Sequence, residues 1–108
     1  MSNQRQSITD LSVFTRRVLA ACERVPRGTV TTYARLAMAI GSPRSVRAVG
    51  TALGKNPCIG DIPCHRVVKS DGSIGGFARG TEDKIRRLRQ EGISVENNRV
   101  VQLEKHLF

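Results

Sequence analysis

Between Gly54 and Gly80 the sequence is dense in glycine and proline, and segments with helical periodicity stand on both sides of that stretch. Glycine loosens the backbone, while proline fixes φ and removes a donor. Such a stretch cannot continue a long helix or a central strand. It predicts a long loop held between helices, with one short apolar run at Val67-Val68 inside it. In a small domain, a loop of that length is commonly where function sits.

Before the loop, Phe14, Val18, Ala21, Cys22 and Val25 recur at helical spacing. A helix is predicted from a cap at Asp10 to a stop at Pro26 and Gly28. Arg16, Arg17 and Arg24 fall off its apolar face, and Cys22 reads as a small buried hydrophobe. After the short stretch Thr29-Val30-Thr31, a helix is predicted from Thr32 to Ala39, with Tyr33, Leu36, Ala37 and Ile40 as core candidates. Gly41 breaks it. Ser42 then caps a helix with Pro43 at its first position, running to about Leu53 and carrying Arg44 and Arg47. Two short helices joined at a glycine, the second one basic, form the pattern of a helix-turn-helix. After the loop, a helix is expected from Thr81 to Glu91, closed by Gly92. Ile85 and Leu88 would face inward, with Lys84, Arg86, Arg87 and Arg89 outward. Residues 93–101 read as a hairpin turning at Glu96-Asn97-Asn98. The expected fold class is mainly α with a small β hairpin. Residues 1–9 would be a flexible polar arm and residues 10–108 a single domain.

Eighteen Lys and Arg against nine Asp and Glu leave a net charge of +9 on 108 residues. A pI near 10.8 is the electrostatic footprint of a chain that meets a polyanion. Nucleic acid comes first and an anionic membrane surface second. No apolar run approaches the roughly 18 residues of a membrane span, and the N-terminus lacks the apolar stretch of a signal peptide. An odd set of three cysteines, Cys22, Cys58 and Cys64, fits a reducing cytosol. No P-loop, dinucleotide fingerprint or zinc-hydrolase motif is present. Cys22, Cys58, Cys64 and His65 could in principle ligate a metal, but they include no CxxC pair, so neither metal nor cofactor is expected.

Reactive chemistry concentrates at Ile62-Pro63-Cys64-His65-Arg66. A thiol with an ordinary pKa of about 8.5 is only a few per cent ionised at neutral pH, so a nucleophilic cysteine needs a base or a positive field. His65 and Arg66 adjoin Cys64. A histidine base needs an orienting acceptor, and Glu91 stands at the end of the following helix. An inert packed Cys64 beside a surface His65 is the competing reading of these residues.

The run Ile62-Pro63-Cys64-His65-Arg66-Val67-Val68 resembles the active-site signature of the O(6)-alkylguanine-DNA alkyltransferases. Thr31-Thr32-Tyr33, Arg47-Ala48-Val49-Gly50, Asn56-Pro57, Gly72, Gly75-Gly76, Lys84, Leu88 and Glu91-Gly92 extend the resemblance over about Phe14 to Gly92. It implies the family's C-terminal domain, with a winged helix-turn-helix whose second helix enters the minor groove. The damaged nucleotide would be flipped out of the stack, because its O6 alkyl group cannot be reached in line within it.

Residue by residue, the resemblance makes Cys64 the alkyl acceptor, His65 the base acting through a water, and Glu91 the residue that orients His65. Tyr33 would donate its hydroxyl to the departing guanine, and Asn56 would brace the active-site turn. The backbone carbonyls of Cys64 and Val67 would accept from the exocyclic amine. The Ala78 N–H would meet O6, and Phe77 would wall the alkyl group. Thr32, Tyr33, Arg44, Arg47, Ala48, Gly50 and Arg66 would contact DNA, with Arg47 filling the gap left by the flipped base. The implied partner is duplex DNA containing O(6)-alkylguanine. The protein would act once per molecule, as a cytoplasmic (nucleoid-associated in a prokaryote) monomer, with other repair factors as further partners.

Phe77-Ala78 replaces the tyrosine and serine of many members, which bears on substrate range. About ten residues precede the first helix, so the core would be sealed by other means, such as the C-terminal hairpin. Short alkyltransferase-like proteins that sense alkylated DNA without repairing it are similar in length, but they typically carry tryptophan where this chain has Cys64. A regulator that reads undamaged sequence is the third reading.

Overall fold

The structure, a computed structural model, describes residues 11–57 and 61–108. The polar arm, the expected Asp10 cap and Cys58 lie outside the described residues. The first helix is capped instead by Ser12, whose backbone is extended and whose hydroxyl accepts from the Thr15 N–H at 3.1 Å. Helix α1 spans Val13–Glu23 and buries Thr15, Val18, Leu19 and Cys22. Val25 follows in the core, and Pro26 prevents continuation.

Strand β1 (Thr31–Thr32) pairs in parallel with β2 (Val67–Val68), Thr31 opposite Val67 and Thr32 opposite Val68. Helix α2 (Tyr33–Ala39) starts where β1 ends, because the Thr32 hydroxyl accepts from the Arg35 N–H at 3.1 Å. Gly41, at φ +77, turns the chain out of α2. The next helix, α3, covers Val46–Leu53 and so starts later than Pro43. Residues 42–45 form a turn instead. The Ser45 N–H donates to the Ser42 carbonyl at 2.9 Å, and the two serine hydroxyls bond at 2.6 Å. Short polar side chains bonding locally compete with the helical ladder, and here the turn wins.

Past the loop, a 3-10 turn at Cys64–Arg66 leads directly into β2. Helix α4 spans Thr81–Gln90, with Glu91 as its cap and Gly92 at φ +86 beyond it. Leu88 is buried and Ile85 half-buried. Lys84, however, faces inward with no exposed surface, contrary to the outward position expected for it. Strands β3 (Val95–Glu96) and β4 (Arg99–Val100) form the hairpin. Asn97 and Asn98 both have positive φ, as a tight two-residue hairpin turn demands.

Two apolar clusters hold these elements. One joins α1, α2 and α3 with Ile62, Cys64 and Val67. The other joins Val30, Val68, Ile74, Leu88, Ile93, Val95 and Val100. Consecutive strand residues point to opposite faces, so Val67 and Val68 enter different clusters and stitch them together. The hairpin and tail do cover the second cluster. Val95 and Val100 bury into it, and residues 106–108 bracket Val30 through the Val30 N–H to His106 carbonyl bond (2.9 Å) and the Phe108 N–H to Val30 carbonyl bond (2.8 Å). Leu88 is the helical anchor of this cluster. Leu88→Ala is expected to cost about 2–5 kcal/mol of stability in chemical denaturation, with a loss below 1 kcal/mol contradicting that role.

Candidate active site

The β1–β2 ladder brings the Cys64–Arg66 turn back beside Tyr33, and the contact of that turn with α4 sets Glu91 against it. Cys64 and His65 are each 7% exposed. His65 Nε2 lies 3.0 Å from Glu91 Oε2. An ionised carboxylate can only accept, so Nε2 carries the proton and Nδ1 is left as the basic nitrogen. Asn56 donates through Nδ2 to the Ile62 carbonyl at 3.0 Å and to Cys64 Sγ at 3.4 Å. It therefore ties the two ends of the turn to the sulfur itself.

Arg66 is tied to the residues around the Cys64–Arg66 turn. Its guanidinium grips Glu91 with two bonds, Nε to Oε1 at 2.8 Å and an NH2 nitrogen to Oε2 at 2.7 Å. Its remaining terminal nitrogen donates to the Val25 carbonyl at 2.7 Å. Burial alone would raise the Glu91 pKa, but the hydrogen bonds from Arg66 and then His65 outweigh it and hold the carboxyl at about 2. Burial lowers the pKa of His65, against the opposing hydrogen bond and charge of Glu91. His65 is thus kept as a neutral imidazole at neutral pH.

A pocket of about 320 Å³ opens over Cys64, lined by Tyr33, Gly50, Leu53, Gly54, Cys64, Gly76, Phe77 and Ala78. Helix α3 forms one wall and the glycine loop the other. Of the expected site residues, Cys64, Tyr33, Phe77, Ala78 and Gly50 meet in this pocket. His65, Asn56 and Glu91 stand behind Cys64. Val67 is buried in β2, and Thr32 is buried as the α2 cap, so their side chains are turned away from solvent. Arg44, Arg47 and Ala48 are exposed at the start and outer face of α3. Phe77 is braced by the Arg87 guanidinium 5.6 Å from its ring centre, and Arg87 is itself held by Asp83 at 2.9 Å.

Lys84 and Gly75 also shape the pocket from behind Tyr33. Lys84 donates through Nζ to the Gly76 carbonyl at 3.2 Å and to Tyr33 Oη at 3.5 Å. Gly75, at φ +76, passes so close to Tyr33 that a Cβ there would lie 2.8 Å from Oη. The signal for Lys84 was its place four residues before Leu88 and seven before Glu91 on one helical face. Among the described residues, no group of three or more His, Cys, Asp and Glu is placed to hold a metal ion, and no helix is long and apolar enough to cross a membrane.

The fold and site define a small helix-turn-helix DNA-binding domain with a buried cysteine and a histidine–glutamate–arginine cluster beneath one pocket. The family model described as "6-O-methylguanine DNA methyltransferase, DNA binding domain" matches residues 13–93, and the chain belongs to that family. The methylated-DNA–protein-cysteine methyltransferase of Methanothermobacter thermautotrophicus is 49% identical over 84 residues, covering 77% of this chain and 46% of the relative. A bifunctional methyltransferase/endonuclease of Picrophilus torridus is 45% identical over 85 residues, covering 79% of this chain and 28% of the relative. The chain thus spans less than half the length of these two relatives. The crystal structure of S. pombe Atl1 in complex with damaged DNA containing O6-carboxymethylguanine superposes with a TM-score of 0.80. That similarity is at 28% identity, over 88% of this chain and 94% of the other.

Two outcomes follow from the geometry. Glu91 has a depressed folded pKa, so its stabilising effect is complete above its ordinary value of 4.5 and is lost as pH falls toward about 2. Glu91→Gln should lower the thermal midpoint at pH 7, and the gap should close between about pH 4.5 and 2. A gap independent of pH would remove the carboxylate charge as its source. Gly75→Ala should cost about 1–2 kcal/mol from the left-handed backbone alone, and more from the collision with Tyr33. Gly76→Ala meets nothing within 4 Å and should be nearly neutral in the same melts.

Proposed function

We propose that this chain repairs DNA by moving the alkyl group of an O(6)-alkylguanine directly onto Cys64, once per molecule. The observation that carries this is Cys64 at the base of a pocket shared with Tyr33, with His65, Glu91 and Arg66 packed behind the sulfur. Duplex DNA would lie along α3, with phosphates drawn by the net positive charge. Arg44, Arg47 and Ala48 would face it, and Arg47 would occupy the space of a nucleotide flipped into the pocket.

In the reaction, Nδ1 of His65 takes the Cys64 proton through a water, and the imidazolium that forms is held by the Glu91 carboxylate. The Asn56 N–H stabilises the sulfur as charge develops on it. The thiolate bonds the alkyl carbon and the carbon–O6 bond breaks, its electron pair leaving with the guanine. The Ala78 N–H and the Tyr33 hydroxyl meet that developing charge. Backbone carbonyls of Cys64 and Val67 accept from the exocyclic amine, and Phe77 packs on the alkyl group. The thioether product has no route back to the thiol, so turnover stops at one. Arg66 serves by keeping Glu91 ionised and aimed.

The test is intact mass spectrometry after mixing the protein with a short duplex containing O(6)-methylguanine. One added methyl group on Cys64 is expected, absent in Cys64→Ser, with duplex binding by that variant retained. A folded protein that binds the duplex and gains no mass would favour a non-catalytic sensor. Binding indifferent to alkylation would favour a sequence-reading regulator.

A further inference from the structure

We propose that Arg87, held in place by Asp83, is a positioning residue for Phe77: it fixes the aromatic wall of the pocket from α4 and so sets the pocket's preference for small alkyl groups over bulky ones. This rests on the transfer reading given above and deepens it to substrate range.

Phe77 stands where its own backbone gives it little support. Gly76 and Ala78 on either side are exposed, and two glycines at positive φ, Gly75 at +76 and Gly80 at +94, bracket the segment. A bond from the Gly80 N–H to the Phe77 carbonyl, at 3.0 Å, closes the turn but does not touch the ring. The ring is half-buried between two surfaces. One is the first apolar cluster, against which it packs. The other is the Arg87 guanidinium, 5.6 Å from the ring centre and within range of a cation–π contact.

An arginine at a surface ordinarily spreads into water, because ordering its long side chain costs entropy. Arg87 does not. Its side chain is 25% exposed, against 60% for Arg86 beside it. Nε of Arg87 donates to Asp83 Oδ2 at 2.9 Å, one helical turn earlier, and an acid placed four residues before a base suits a helix. Arg86 takes the other oxygen of the same carboxylate. Leu88, the next residue, locks α4 into the second apolar cluster. The wall therefore takes its position from the helix rather than from the loop that carries it.

Phe77 and Cys64 line the same pocket. With the ring fixed, the gap between ring and sulfur has one width. A methyl group is too small to set its own place and needs the wall to hold its carbon before the sulfur, and a small misplacement of reacting atoms is costly in rate. A benzyl group fills the gap by itself, and its own ring can pack on a displaced Phe77. Releasing Phe77 thus slows methyl transfer more than benzyl transfer. The bonds made and broken are the same in both: the sulfur bonds the alkyl carbon, and the carbon–O6 pair leaves with the guanine.

Single-turnover transfer to Cys64 is measured at saturating protein on two duplexes that differ only in carrying O(6)-methylguanine or O(6)-benzylguanine, and the readout is the methyl-to-benzyl rate ratio. Arg87 also contributes positive charge toward DNA and, after burial and alongside Arg66, adds to the lowering of the His65 pKa. Both effects fall on the two duplexes alike and cancel in the ratio, as does a loss of stability. Arg87→Met should lower the ratio about three- to five-fold, the scale of one partly exposed cation–π contact. Arg87→Lys, which keeps a cation, should lower it less. Asp83→Asn should move it in the same direction, and it stands in should Arg87→Met not fold. In a Phe77→Leu background, Arg87→Met should change the ratio less than about 1.5-fold, because the coupling needs the ring. A ratio that Arg87→Met leaves unchanged, or lowers equally without the Phe77 ring, would overturn the inference. Absence of any alkyl adduct on the wild-type protein from either duplex would instead sink the transfer reading on which it stands.

Discussion

The site depends on one carboxylate in an electrostatically awkward place. Glu91 caps the C-terminus of α4, where the helix dipole already presents partial negative charge. An anion there is unstable unless cations meet it. Arg66 meets it with two parallel bonds, His65 with a third, and Arg27 approaches to 3.8 Å. The Arg66 guanidinium also holds the Val25 carbonyl just past the end of α1. A single ionic cluster therefore joins the end of α1, the Cys64–Arg66 turn and the end of α4. The tautomer and direction of His65 follow from that clamp, which needs arginine's planar fork and could not be built with a lysine.

Helix α4 then acts as a spacer between two tasks. Lys84 and Glu91 are seven residues apart, close to two turns, which places them on one face about 10 Å apart along the axis. Glu91 holds His65 at one end. Lys84 donates at the other end to the Gly76 carbonyl and the Tyr33 oxygen. Leu88 lies between them and locks the helix into the second apolar cluster. Packing in the core thus sets the separation of the two polar ends, so a shift of α4 along its axis would disturb both together.

The elements with strong local signals were legible in the sequence. The apolar stripe of α1, the glycine stop after α2 and the Asn-Asn hairpin turn each have a physical cause within a few residues. Cys64, His65 and Glu91 were legible as candidates because few residue types can activate a thiol. Three features were not. The start of α3 was obscured because Ser42 and Ser45 bond to each other, and Pro43 suits a turn as well as a helix. The charge of Lys84 points it outward, although the same periodicity that buries Leu88 puts Lys84 on the inner face. The bond of Arg66 to Glu91 has no local signal either, because the carboxylate stands 25 residues later in the chain.

The pocket wall shows why the glycines belong with the chemistry rather than with flexibility alone. Gly75 needs both a left-handed backbone and the absence of a Cβ, since Tyr33 Oη would be 2.8 Å away. The loop can then press against the phenol while the next carbonyl, that of Gly76, receives Lys84. Phe77 and Ala78 follow at once as pocket lining, with Phe77 fixed by Arg87 on α4. Loop, phenol and ammonium are therefore one packed unit, and the side chains that meet a ligand inherit their position from it. This unit ends at Phe77 and Ala78 in the pocket lining. Ala78 is exposed, and its side chain adds no donor beyond the backbone N–H.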